Sequence, residues 1–173
     1  MNKFLFNLKA KYLYWTSKTP ANLAKILFEK NLKISSAESC TGGLVSSRLT
    51  DISGSSAYIK ANFVTYANEA KQRFLNVSEE TLKNHGAVSE ECAREMAQGL
   101  LDLTGSDVVI CTTGVAGPTG SERKPVGLMY AACGYNGNIK IKKFELNKKY
   151  NRKNMKFMFS EVALKFVIET LKD

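Results

Sequence analysis

Apolar positions along this chain recur with two different periods, and the alternation between them predicts the fold. Phe4, Leu5, Leu8, Tyr12 and Trp15 fall on one side of a helix. Thr19-Pro20 opens a second helical stretch, with Leu23, Ile26 and Leu27 facing inward. Lys33 to Ala37 has the length of a short strand, and Glu38-Ser39-Cys40-Thr41-Gly42-Gly43 then turns into a helix reaching about Thr50. Ser53 to Ser56 is a loop, and the aromatic and β-branched run from Ala57 to Tyr66 is a strand. Asn68 to Leu75 is a short helix. Ser78 and Ser89 are placed as N-caps of the next two, the second running to about Leu103.

Val108 to Thr113 is continuously apolar until its threonines, as a strand covered on both faces should be. Gly127 to Tyr135 and Ile139 to Leu146 flank Asn136-Gly137, a strong hairpin signal. Asn151 to Leu171 is a final helix, with Met155, Met158, Phe159, Val162, Phe166 and Ile168 near one side. Helices alternate with strands and a hairpin follows. That order predicts a three-layer α/β/α sandwich around a mostly parallel, mixed sheet with one antiparallel strand. Residues 1–19 form a helical extension to a single domain over 20–173.

Composition narrows the chemistry. The formal net charge of +9 would suit an anionic partner, but it is unevenly spread. Residues 1–33 carry seven Lys against one Glu, and residues 140–156 carry eight Lys or Arg against one Glu. The centre, 34–138, holds eight basic and eleven acidic residues, so the catalytic region is not a basic surface. Nucleic acid is therefore not the expected partner. Cys40, Cys92, Cys111 and Cys133 are scattered, and His85 is the only histidine. No metal or other cofactor is expected, and the cysteines read as buried thiols of a reducing, cytoplasmic compartment. No apolar stretch approaches the ~20 residues of a membrane span. The first apolar stripe reads as a helix packed on the domain or on a second subunit, which makes a homo-oligomer the expected state; a membrane surface is the sharper alternative.

Two glycine-containing segments follow predicted strands. Ser39, Thr41, Gly42 and Gly43 stand where a strand ends and a helix begins, a place where backbone N–H groups can receive a phosphate or an oxyanion. Thr113, Gly114 and Gly117, continuing to Gly120, follow the apolar strand and form a facing wall. Neither segment has a Walker or dinucleotide fingerprint.

Six segments in order carry a family resemblance: Ala37-Glu38-Ser39-Cys40-Thr41-Gly42-Gly43, Asp51-Ile52-Ser53-Gly54-Ser55-Ser56, Phe63-Val64-Thr65-Tyr66-Ala67-Asn68-Glu69-Ala70-Lys71, His85-Gly86-Ala87-Val88-Ser89-Glu90, Thr113-Gly114-Val115-Ala116-Gly117-Pro118 and Lys124-Pro125-Val126-Gly127. Together they resemble the amidohydrolase family named after the C-terminal domain of the competence-damage-inducible protein CinA. The resemblance implies metal-independent hydrolysis of the carboxamide of nicotinamide mononucleotide, giving nicotinate mononucleotide and ammonia. Carried over by motif, it implies Ser56 as nucleophile, Lys71 as base and Tyr66 as helper. A serine hydroxyl becomes a useful nucleophile when a neutral amine can take its proton, and that requires a lysine of lowered pKa. His85 is the alternative base.

The chain departs from the family pattern before the last helix, where the usual Gly-Asp-Arg reads Tyr150-Asn151-Arg152. Arg152 is retained and is a candidate partner for the substrate phosphate. The loop with Thr119 and Ser121 is also less glycine-rich than in many members. The altered C-terminal segment and the basic ends of the chain motivate an alternative of another class, an inactive nucleotide- or partner-binding module linked to DNA uptake or repair.

Overall fold

A computed structural model describes residues 2–120 and 124–172. Seven helices and five strands alternate: α1 (Lys3–Thr16), α2 (Thr19–Glu29), β1 (Ile34–Glu38), α3 (Leu44–Thr50), β2 (Ile59–Val64), α4 (Asn68–Leu75), α5 (Glu79–Asn84), α6 (Glu90–Thr104), β3 (Val108–Gly114), β4 (Leu128–Tyr135), β5 (Asn138–Glu145) and α7 (Arg152–Thr170). A single 3-10 turn, Ser55–Ala57, occupies the loop expected there. The strands form one sheet of order β2-β1-β3-β4-β5. β1 is parallel to both β2 and β3, and the β4 pairings are antiparallel, so β4 alone runs against the other strands.

Helices cover both faces. On one, α2, α3 and α7 close over Ile34, Val108, Ile110, Met129, Ala131 and Cys133. On the other, α6 packs with Leu75 and Val77 over Ala37, Val109, Cys111 and Ala132. The four cysteines are buried and free. The Asn136-Gly137 turn takes the positive φ of 50° and 73° that a tight hairpin requires. Ser78 and Ser89 cap α5 and α6, accepting from Thr81 N–H and Cys92 N–H.

The inner strand β1 is entirely buried although its sequence is Ile-Ser-Ser-Ala-Glu. Each polar group has partners. Ser35 Oγ meets Ser106 Oγ at 2.7 Å and accepts from Ala61 N–H. Ser36 Oγ donates to Asn62 Oδ1. Glu38 accepts from the N–H groups of Val45 and Ser46 and from the Ser46 hydroxyl at 2.6–3.0 Å. Satisfied in this way, the polar groups cost little and fix the strand's register.

α7 is more enclosed than a one-sided apolar pattern suggests. Phe157, Glu161 and Leu164 are buried along with Met155 and Phe159, because α1 and α2 cover the side away from the sheet. Glu161 forms a buried ion pair with Arg48 of α3 and also accepts from Ser17, Thr19 and Lys165. Burial alone would raise its carboxyl pKa. The donations, led by Arg48, instead hold it at about 2. α4 and α6 nearly touch: a Cβ on Gly99 would lie 1.9 Å from the Leu75 carbonyl oxygen, so only glycine permits that seam.

Candidate active site

The carboxyl ends of β1, β2 and β3 converge on one cavity of about 270 Å³, the place where ligands sit in open α/β sheets. Its walls include Ser39, Cys40, Tyr66, Val88, the backbone from Gly114 to Gly117, Thr119, Gly120 and Arg152. Ser39 comes directly after β1, and its N–H donates to Thr112 O of β3 at 3.0 Å, which extends the ladder by one residue. Gly42 and Gly43 then take φ of 58° and 90° to turn the chain into α3.

Lys71 reaches Ser39 from the other side. It stands on the first turns of α4, is 1% exposed, and its Nζ lies 3.2 Å from Ser39 Oγ, 2.8 Å from Thr65 O and 3.3 Å from Tyr66 O. Its pKa is lowered, chiefly by burial. The ionisable neighbours that oppose the shift are thiols, and these are neutral near pH 7: burial pushes Cys92 up to about 11 and Cys40 up to about 12. No carboxylate pairs with Lys71 among the described residues, so desolvation of the ammonium goes uncompensated by an anion.

Tyr66 bridges β2 and α4. Its carbonyl accepts from Lys71, and its phenol oxygen accepts from Arg152 Nη2 at 2.8 Å. Arg152 also donates to Gly117 O, which ties the start of α7 to the loop after β3. Asn151, the residue that departs from the family pattern, is the N-cap of α7 and accepts from Asn154 N–H at 2.9 Å. Asn and Asp cap helices about equally well, so the exchange preserves that local structure.

Several anticipated site residues lie elsewhere. Ser56 sits in the 3-10 turn before β2, whereas Lys71 follows β2. Six strand residues at ~3.3 Å each put the two ends roughly 17–20 Å apart, so the structure does not bring Ser56 to Lys71. The hydroxyl beside Lys71 is that of Ser39, which had been expected only to bind substrate. Thr41 and Thr113 are buried ties: Thr41 Oγ1 meets Thr112 Oγ1 at 2.8 Å, and Thr113 donates to Ala87 O. Gly42 and Gly43 shape the turn without lining the cavity.

The anticipated free N–H groups at the start of α3 are taken, since Glu38 accepts from Val45 and Ser46. Among the described residues, the amides of Cys40, Thr41 and Gly43 have no backbone acceptor. His85 caps α5 and faces Glu91 at 3.4 Å. Val115, Ala116, Thr119 and Gly120 line the cavity within the segment expected as its facing wall, and Cys40 and Val88 line it without having been singled out. Only the glycine-rich character of their segments signalled them. Ser121 lies outside the described residues. Among those residues no group of three or more His, Cys, Asp or Glu could hold a metal ion, and no helix is long and apolar enough to cross a membrane.

A buried lysine hydrogen-bonded to a serine thus stands at the strand ends of an α/β/α sandwich. Residues 16–171 match the CinA C-terminal domain family, and the chain belongs to it. It is 48% identical over 172 residues to a CinA-like protein of Chloroherpeton thalassium, covering 95% of this chain and 41% of that protein. It is 51% identical over 123 residues to a putative competence-damage inducible protein of Clostridium perfringens, covering 70% of this chain and 30% of the other. The chain thus spans less than half the length of these curated relatives. The crystal structure of a competence/damage inducible protein from Agrobacterium tumefaciens superposes with a TM-score of 0.85 at 37% identity, covering 90% of this chain and 94% of that one. A competence damage-inducible protein from Klebsiella pneumoniae gives 0.85 at 32% identity, covering 90% and 96%.

Proposed function

We propose that this chain hydrolyses the carboxamide of nicotinamide mononucleotide to the acid nucleotide and ammonia, with Ser39 rather than Ser56 as nucleophile and Lys71 as general base. The observation that carries this reading is the disposition of the three partners of Lys71 Nζ. A neutral amine has two N–H bonds and one lone pair. Thr65 O and Tyr66 O take the two N–H bonds, which leaves the lone pair for Ser39 Oγ. Burial favours that neutral form.

Ser39 Oγ attacks the amide carbon as Lys71 accepts the hydroxyl proton. The resulting ammonium gives that proton to the departing nitrogen, so the C–N bond breaks as ammonia leaves. Water, deprotonated by the same amine, then cleaves the acyl ester and restores Ser39. The amide of Cys40, a residue of the cavity wall with no backbone acceptor, is the donor available to the developing oxyanion. The Tyr66 hydroxyl, which accepts from Arg152, is placed to donate a hydrogen bond to the leaving nitrogen while Lys71 supplies the proton. Arg152 has N–H groups beyond the two it uses and is the cation nearest to hand for a substrate phosphate.

The decisive experiment incubates purified protein with nicotinamide mononucleotide and quantifies ammonia and the acid product. Stoichiometric release, lost in Ser39→Ala and kept in Ser56→Ala, supports the reading; absence of turnover removes it. A binding-only module remains the second reading. It rests on the basic ends of the chain and on the altered Tyr150-Asn151-Arg152 segment, and the capping role of Asn151 weakens the second of these supports.

A further inference from the structure

α1 has two apolar faces, and the domain uses one. Ala10 is buried, Phe6 meets the Tyr150 ring edge-on at 5.2 Å, and Tyr14 meets Phe157 at 5.3 Å. Asn7 accepts from Asn151 N–H and Asn154 Nδ2 and donates to Lys149 O, which clips the helix to the start of α7. On the other side, Phe4, Leu5, Leu8, Tyr12 and Trp15 are all exposed, Trp15 to 82%. At 100° per residue these five fall within about 100° of the helix circumference, a continuous stripe. Lys9 and Lys11 flank it on opposite sides, Lys3 and Lys18 stand at its ends, and no acidic residue occurs before Glu29. None of these four lysines has an ion-pair partner among the described residues. Exposed Lys148 and Lys153 extend the basic surface beside the clip.

We propose that this face of α1 docks on the surface of an anionic lipid bilayer. The stripe enters the boundary between headgroups and acyl chains, with Trp15 and Tyr12 at headgroup level, where amphipathic aromatic rings are most stable. Lys9 and Lys11 extend sideways to the lipid phosphates while their stems lie along the apolar layer. The helix lies flat, since no helix among the described residues can span a bilayer. Charge selects this occupant over a second copy of the chain. A two-fold contact through the stripe would set Lys9 and Lys11 of one copy beside those of the other with no acid between them. An anionic surface neutralises all four. The proposal does not depend on the catalytic reading, because the stripe faces away from the residues of α7 that α1 covers.

The full chain reports on itself, because Trp15 is the only tryptophan. Mixed with vesicles of phosphatidylcholine containing about one third phosphatidylglycerol, it should co-sediment and its fluorescence should shift to the blue. Pure phosphatidylcholine vesicles should bind it far less, and raised salt should release it. Lys9→Gln with Lys11→Gln should weaken co-sedimentation roughly tenfold to thirtyfold. Leu8→Ser with Trp15→Ser should abolish it while shifting thermal unfolding little, since Leu8 is half-exposed and Trp15, 82% exposed, meets only the Tyr14 ring edge-on among the aromatic rings. Failure to bind anionic vesicles overturns the proposal. So does equal binding to neutral vesicles. Concentration-dependent dimerisation that the Leu8/Trp15 variant abolishes, without vesicle binding, would identify a second copy as the occupant and overturn it as well.

Discussion

Replacing Lys71 with methionine tests the reaction chemistry with the least structural disturbance. Met retains most of the buried stem and removes only the amine. General-base assistance contributes about 10²–10⁴ in rate, or roughly 3–5 kcal/mol of barrier. The expected loss in kcat/KM is of that size, with KM changed much less. Stability should move little at neutral pH because two effects oppose. Thr65 O and Tyr66 O lose their donor, at about 1–3 kcal/mol for each that stays dry. Against that, a desolvated amine disappears. Burial lowers the folded pKa of Lys71, so below the ordinary value near ~10.4 the unfolded chain binds more protons than the folded one. Wild-type stability therefore gains from rising pH between the folded pKa and ~10.4, and Lys71→Met should lose that gain. Kinetically, wild-type kcat/KM should rise with pH through one ionisation and level off once the amine is neutral. The assay is ammonia release against pH for wild type, Lys71→Met and His85→Asn. The limb should vanish in the first variant and persist in the second. A Lys71→Met enzyme within threefold of wild type, or a limb abolished by His85→Asn in a folded protein, would refute the reasoning.

Three other outcomes follow from named contacts. Ser39→Ala should reduce turnover by at least about 10³-fold while Ser56→Ala stays within about twofold, measured by product formation under saturating substrate. Glu161, held at about 2 against an ordinary carboxyl value near 4.5, contributes on the order of 3 kcal/mol that is fully present above pH ~4.5 and is lost as pH falls toward 2. Urea unfolding across that range should show Glu161→Gln flattening the acid dependence, and an unchanged slope would exclude this ion pair as its source. Asn151→Asp should leave Tm nearly unchanged and Asn151→Ala should cost about 1 kcal/mol, as the cap at Asn154 N–H requires; equal stability of all three proteins would contradict the capping role.

Much of the fold was legible because its signals are local. The Asn136-Gly137 hairpin, the Ser78 and Ser89 caps and the apolar Val108 run each depend on a few neighbouring residues, and all appear where expected. β1 was legible by position more than by composition, since Ser35, Ser36 and Glu38 are buried polar residues whose partners lie far along the chain. The surroundings of α7 were harder for the same reason: Glu161 looks like a surface residue until Arg48, Thr19 and Ser17 are brought to it. The pairing of Lys71 with a serine contained a readable clue. Ser56 precedes β2 and Lys71 follows it, whereas Ser39 and Lys71 each follow a parallel strand. In a parallel sheet only the latter two share an end. Motif order placed the residues within the family; strand direction decides which can meet.

The backbone seam at Gly99 bears on how the proposed activity could change over evolutionary time. It presses the end of α4 against α6, so the helix carrying Lys71 is anchored by contacts remote from the cavity. Ser39 is fixed separately by the ladder to Thr112. The facing wall, from Val115 to Gly120, is held to α7 by Arg152 through Gly117 O. Mutations that reshape this wall can alter which amide fits while leaving the serine–lysine distance intact. On the proposed reaction, the cavity joins a firmly anchored serine–lysine half to a loop-built recognition half, an arrangement in which new substrates could be acquired without rebuilding the chemistry.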